Sequence, residues 1–180
     1  MTENISVSIP LSDDTLNFVY NLLDEIEKKF LISFIKNKKT RPHINLISGK
    51  TDNLNKIIDL LKENLNLKKP QETRLLGYGS FLSENPTIYI RFEIIEYLTF
   101  LRKIFFENDF LWSDIDSSVK NNMWFPKSSI IHKDMKLNLM SDVIKFLNLQ
   151  SLPKSMMIKE IIITNFTGIE KEVESFKLNF

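Results

Sequence analysis

The chain has 180 residues, 43% of them hydrophobic and 11% aromatic, enough apolar material for one sizeable core and for a single folding unit over residues 1–180. Its 24 Lys and Arg against 23 Asp and Glu leave a net charge of +1, so no global field favours a long polyanion or an anionic membrane surface, and any nucleic-acid ligand is expected to be small. The absence of cysteine excludes disulfides, thiolate nucleophiles and thiolate zinc sites, which leaves the chemistry to oxygen and nitrogen groups.

The opening "MTENISVSIPLSDD" lacks the basic region and apolar run of a secretory signal, and no apolar stretch approaches the ~18 residues of a membrane span, so a cytoplasmic protein is expected. "ISVSIP" (5–10) alternates with period two, as a half-buried strand does. "SDDTLNFVYNLLDEIEKKF" then changes to helical period, with Ser12 or Asp13 as N-cap. "RPHINLI" (41–47) reads as a second strand, and "TDNLNKIIDLLKENLNL" (51–67) as a helix with Leu54, Ile57, Ile58, Leu61 and Leu65 on one face. "TRLLGYGSFL" and "TIYIRFEI" are strands separated by the turn residues "SENP", and a helix follows from Glu96 to about Glu107. "DFLWSDIDSSVKNN" (109–122) reads as a loop, "MWFPKSSIIHKD" (123–134) as a strand and "NLMSDVIKFLNL" (138–149) as a helix. "MMIKEIIITNF" and "EVESFKLNF" read as a closing hairpin around Thr167 and Gly168. Strands and helices mix without strict alternation, so the expected class is α+β with largely antiparallel sheets.

Comparison of the chain with itself pairs Pro42-His43-Ile44-Asn45-Leu46-Ile47 with Pro126-Lys127-Ser128-Ser129-Ile130-Ile131, an offset of 84 positions from 42 to 126. Each has a proline, a cationic or protonatable residue, a spacer, a small polar residue and two aliphatics. The strand period puts His43 and Asn45 on one face, and likewise Lys127 and Ser129. Each copy is followed within about ten residues by a helix.

"PHINLI" and its later echo resemble the paired HxT or HxS motifs of the two-histidine (2H) phosphoesterase superfamily, which includes the 2′-5′ RNA ligase-like proteins. The opening strand, proline-containing turn and long helix, the "LLGYGSF" segment and the ending "IKEIIITNFTGIEKEVESFKL" are similar to that family in the same order. The resemblance implies a two-lobed α+β fold with antiparallel sheets, pseudo-twofold symmetry and a central groove. In such a groove two histidines face each other across a phosphodiester, usually a 2′,3′-cyclic phosphate or a 2′-5′ linkage, with no metal and no cofactor. Opening a cyclic phosphodiester requires one group to take a proton from water and another to give one to the leaving ribose oxygen; two imidazoles do both, and the hydroxyl two residues on binds a phosphate oxygen.

The sequence departs from the pattern at two of these four positions. Asn45 replaces the first hydroxyl residue, and its amide still offers a donor. Lys127 replaces the second histidine, with Ser129 kept. With an ordinary pKa of about 10.4, a lysine at neutral pH is an acid or a fixed charge and not a base unless burial or another cation depresses it. His132, followed by Lys133 and Asp134, is an alternative second histidine. Strict strand parity puts it on the face opposite Lys127 and Ser129, a placement that a bulge would reverse.

Other features have plainer expectations. Trp124 and Phe125 read as core or loop anchors in preference to stacking platforms. Gly77 and Gly79 lack the strand-to-helix context of a dinucleotide fingerprint and read as a bulge or a close-packing site. "KNKKTR" (36–41) reads as a solvated loop whose charge could steer a phosphate toward His43. Three functions are consistent with the sequence: a metal-independent phosphodiesterase using His43 and Lys127, with Asn45 and Ser129 on the phosphate; a catalytically inactive nucleotide-binding protein on the same scaffold; and an interaction domain with an empty groove. A monomer acting on a small nucleotide or a short RNA-derived phosphodiester is the expectation for the first two.

Overall fold

The alternation at the start of the chain becomes β1 (Glu3–Pro10), and the change of period at Ser12 becomes α1 (Asp13–Phe30), in a computed structural model that describes residues 2–65, 69–120, 124–168 and 170–178. β1 is central and buried on both faces, so its two inward hydroxyls, Ser6 and Ser8, satisfy each other at 2.8 Å. Ser12 stands at the N-cap position, yet its hydroxyl donates to the Met157 carbonyl (2.8 Å), tying the start of the helix to a distant strand.

The expected β2 (His43–Thr51), α2 (Leu54–Leu65), β3 (Gln71–Phe81), β4 (Thr87–Phe92) and α3 (Glu96–Phe106) follow. Ile57, Leu61 and Leu65 are the buried positions of α2; the expected last residues of that helix, 66 and 67, lie outside the described residues. The stretch read as a loop holds a 3-10 turn (Asp109–Leu111), β5 (Asp114–Ile115) and the one-turn α4 (Ser117–Lys120). β5 exists because it pairs with Gly49 and Lys50, a contact with no periodic signature in two residues. Gly49 makes the pairing fit, since a Cβ there would lie 2.1 Å from the Asp114 carbonyl oxygen. Residues 121–123, expected as loop and strand start, are outside the described residues, as are 179 and 180 at the end of the expected hairpin.

β6 (Lys127–Ile131), α5 (Met140–Asn148), β7 (Ser155–Ile158), β8 (Glu160–Asn165) and β9 (Lys171–Lys177) complete the chain. The run read as one arm of the closing hairpin is thus two strands broken at Lys159. β7 joins the four-stranded sheet β6-β4-β3-β7, whereas β8 lies between β1 and β9 in the five-stranded sheet β5-β2-β1-β8-β9. Every pairing is antiparallel. The fold is α+β, with two antiparallel sheets knitted by their helices: α1 packs on β7 of the other sheet, and α3 on β2. One buried cluster accordingly draws on both sheets, with Ile5, Val7, Ile9, Ile44 and Ile161 from one and Ile88, Phe92, Ile131 and Ile158 from the other. Among the described residues no helix is long and apolar enough to cross a membrane.

The two motif strands share an irregularity. In β2 the register against β1 steps from Val7 opposite Ile47 to Ser8 opposite Asn45, so Leu46 is a bulged extra residue. In β6 the register against β4 steps from Ile88 opposite Ile131 to Tyr89 opposite Ser129, so Ile130 is the extra residue, again 84 positions on. Both bulges bury two successive aliphatics, Leu46 with Ile47 and Ile130 with Ile131. The flanking prolines match as well: the Pro42 carbonyl accepts from Leu11 N–H (2.8 Å) and the Pro126 carbonyl from Phe92 N–H (3.0 Å).

Candidate functional site

β2 and β6 meet at a cleft of about 370 Å³, and His43, Asn45, Lys127 and Ser129 all line it. His132 lines it too. Strict parity would have turned His132 away; the extra residue at Ile130 reverses the face beyond it, so the placement expected without a bulge is corrected. By the same offset of 84, His132 corresponds to Ser48 on β2.

His43 Nδ1 lies 2.7 Å from the Arg41 carbonyl oxygen. A carbonyl only accepts, so Nδ1 carries the proton and Nε2 holds the lone pair of the neutral ring. Burial pushes the His43 pKa below the usual histidine value, outweighing the Arg41 carbonyl, which favours the charged form. The imidazole is therefore neutral at pH 7.

Asn45 is fixed by a relay. Ser48 Oγ donates its single proton to Asp116 Oδ2 (2.5 Å), so toward Asn45 it can only accept, and Asn45 Nδ2 donates to it at 3.2 Å. Asn45 keeps its second N–H for a ligand, while its Oδ1 is enclosed without a partner among the described residues. Ser129 sits at the equivalent place on β6, and the neighbouring Ser128 hydroxyl, also lining the cleft, is buried without a partner among the described residues.

Lys127 lies in an aromatic corner. Its Nζ stands 5.0 Å from the Phe125 ring centroid and 5.5 Å from that of Phe81, and Tyr89 packs behind both rings at 5.4 and 4.9 Å. Gly79 admits Tyr89, since a Cβ at that position would lie 2.5 Å from its ring; Gly77, at φ +120°, sits on a bulge in β3. Both glycines thus have the backbone roles expected of them. Desolvation and then the nearby Arg102 push the Lys127 pKa below its usual value, while the two ring faces favour the cation.

Arg102 had no signal in the sequence beyond its place on a helix. Its guanidinium donates to the carbonyls of Leu46 and Val119, both at 2.9 Å, and lies 4.6 Å from the Phe106 ring and 4.3 Å from the Trp124 ring. It thereby satisfies the carbonyl of the β2 bulge. Burial lowers its pKa to about 10, so it remains charged at neutral pH. Trp124 donates from Nε1 to the Asn45 carbonyl (3.1 Å), which makes it an anchor of the cleft wall, as expected of it.

Positive charge reaches the cleft unevenly. Of the basic run at 36–41, Lys36 pairs with Asp24 (2.7 Å) and Glu27 (2.5 Å), and Arg41 with Glu160 and Glu172, both at 2.9 Å. Lys38 lines the cleft and stands 4.0 Å from Glu170. Burial first, then Lys133 and Lys38, lowers the His132 pKa; its Nδ1 lies 2.9 Å from Thr87 Oγ1, and its ring meets Phe34 edge-on at 5.8 Å. Asp134 opposes that lowering and accepts from the backbone N–H groups of Ser33 (2.7 Å) and Phe34 (2.6 Å). Among the described residues no group of three or more His, Asp or Glu is arranged to hold a metal ion.

No protein-family model matches the chain, and no curated protein matches it in sequence. Solved structures do match it in fold. Escherichia coli LigT complexed with 3′-AMP is similar over 100% of both chains, with a TM-score of 0.63 at 13% identity. TT0787 of Thermus thermophilus is similar over 97% of both chains, with a TM-score of 0.63 at 15% identity. A structure described as a phosphoesterase is similar over 100% of both chains, with a TM-score of 0.57 at 12% identity. The fold is that of LigT, TT0787 and the phosphoesterase structure, end to end.

Proposed function

We propose that the chain is a two-histidine phosphoesterase-like protein acting on a small phosphodiester, such as a 2′,3′-cyclic phosphate or a 2′-5′-linked nucleotide, with an altered catalytic pair. The observation that carries the reading is the convergence of His43 and Asn45 with Lys127 and Ser129 on one cleft, from strands matched in proline, bulge and burial. LigT structures complexed with 3′-AMP, ATP and NADP+ share the fold, which supports a small nucleotide as ligand.

In this reading Nε2 of neutral His43 takes a proton from water as its oxygen forms a bond to phosphorus. The bond from phosphorus to the ribose oxygen breaks, and Lys127 Nζ–H donates to that oxygen. Asn45 Nδ2–H and the Ser129 hydroxyl hold the non-bridging oxygens, and the field of Arg102 favours the developing negative charge. His43 and Lys127 balance the proton inventory without a metal or cofactor.

A second reading, nucleotide binding without cleavage, is favoured by the position of the Lys127 ammonium against two aromatic faces, an arrangement that suits a fixed cation as well as a proton donor. Lys127→His separates the two. If the protein is an esterase, the substitution raises hydrolysis of a 2′,3′-cyclic nucleotide toward the worth of a positioned acid/base group, about 10²- to 10⁴-fold. If it only binds, affinity for 3′-AMP falls with the lost charge and no product forms. A variant unchanged in both rate and affinity contradicts both readings.

A further inference from the structure

We propose that Arg41 is a positioning residue for His43, holding through its backbone carbonyl the tautomer that leaves Nε2 free toward the cleft. The inference rests on the reading of His43 as the working base. Its evidence is a clamp that sequence alone did not disclose. The Arg41 guanidinium makes a two-pronged contact with Glu172, Nε to Oε1 and Nη2 to Oε2, both 2.9 Å, and a third bond from Nη1 to Glu160 Oε2, also 2.9 Å. Glu172 is on β9 and Glu160 on β8, so the side chain is gripped by two strands of the closing hairpin. The neighbouring Thr40 hydroxyl bonds Glu170 at the turn of the same hairpin, and the Pro42 carbonyl is held by Leu11 N–H at 2.8 Å. Residues 40 to 42 are therefore fixed on three sides, and the Arg41 carbonyl that meets His43 Nδ1 at 2.7 Å belongs to this fixed segment.

A planar guanidinium gripped by two carboxylates has few alternative geometries, which is why arginine and not lysine suits the place. The charged groups that act on His43 come from the same elements: Lys38 in the loop disfavours the imidazolium, while Glu170 and Glu172 on the hairpin side favour it. The clamp thus touches both the tautomer and the titration of the ring, and a residue serving stability alone would move neither.

The chain has only two histidines, so ring nitrogen shifts in an NMR spectrum distinguish them, with His132 as the internal control. Wild-type His43 is expected as the Nδ1–H tautomer at pH 7.5. In Glu172→Gln and Arg41→Ala the tautomers should mix, and in Glu172→Gln the His43 titration should move to lower pH, with the His132 tautomer unchanged. Turnover of a 2′,3′-cyclic nucleotide should fall by about 10- to 100-fold in Arg41→Ala, as expected for a small misplacement of a reacting group, with partial recovery in Arg41→Lys. A wild-type His43 in the Nε2–H form overturns the proposal without any variant. So do folded Arg41→Ala and Glu172→Gln proteins whose His43 tautomer and titration match wild type. Should Arg41→Ala fail to fold, the milder Glu172→Gln carries the same test. If the tautomers behave as expected and no cyclic nucleotide is bound or cleaved, the reading of His43 as a base fails and the clamp stands.

Discussion

The β2 and β6 sides of the cleft share a backbone and differ in what surrounds it. On the β2 side the residue preceding the motif proline is Arg41, whose carbonyl holds an imidazole and whose side chain is gripped by carboxylates. On the β6 side the matching residue is Phe125, whose ring faces an ammonium 5.0 Å away. Beyond the bulges, Ser48 belongs to a hydrogen-bonded relay with Asp116, whereas His132 stands among Thr87, Phe34 and cations. Equivalent positions therefore do unequal work. A neutral, oriented imidazole is made by polar contacts and burial, and the ammonium is set against aromatic faces with no carboxylate partner among the described residues.

The sharpest way to break this comparison is to remove the imidazole. His43→Asn is expected to lower turnover of a 2′,3′-cyclic nucleotide by about 10²- to 10⁴-fold while 3′-AMP still binds. Steady-state rates and calorimetric titration check it, and equal losses in both would make His43 a binding group only. Lys127→Gln should act on both, lowering turnover and weakening 3′-AMP by about 10- to 100-fold through loss of a charge-assisted contact, with a smaller dependence of affinity on salt. A third test disturbs the aromatic corner from behind. Gly79→Ala drives a Cβ into Tyr89 at 2.5 Å, and overpacking of this kind costs about 1–3 kcal/mol. Denaturant titration should show that loss. Gly77→Ala, with no neighbour within 4 Å, should show only the backbone cost of its positive φ.

The smallest effect is a slope. Both histidines have pKa values pushed down by burial in the fold. The unfolded chain therefore binds more protons than the folded one once the pH drops below about 6.5, and stability should decline there as the pH falls. Above that pH both rings are neutral in both states, and this contribution is fully present and flat. Thermal unfolding from pH 8 to 5 checks the sign; His132→Gln should flatten part of the slope, and an unchanged slope would show that His132 titrates alike in both states.

The sequence exposed those parts of the molecule whose signal is periodic. Alternation at residues 5 to 10 and the helical stripe of Ile57, Leu61 and Leu65 were legible because burial repeats at the spacing of the element. The duplicated motif showed which four side chains share faces, and the structure brings those four to one cleft. What stayed illegible is non-local. β5 depends on Gly49 across the sheet, and the break at Lys159 depends on two sheets competing for one apolar run. Arg102 and the Arg41 clamp draw partners from 17 to 131 positions away. His132 required knowing that Ile130 is surplus to the ladder, and a run of two isoleucines carries no mark of which one is extra.

That surplus residue has a consequence for how such a cleft tolerates change. Substitution at 43, 45, 127 or 129 alters one side chain and leaves the frame standing. Deletion of Ile130 removes the residue that has no partner on β4. The ladder closes with Ser129 still opposite Tyr89 and Ile131 still opposite Ile88, so His132 keeps its face, and what is lost is the local bend and added twist of the strand. The same holds for Leu46 and Ser48 on the other strand. The ladder sets which face each cleft residue takes and the bulge sets how its strand is aimed, so a single codon lost there would change how the two sides of the cleft meet while leaving the same faces toward it.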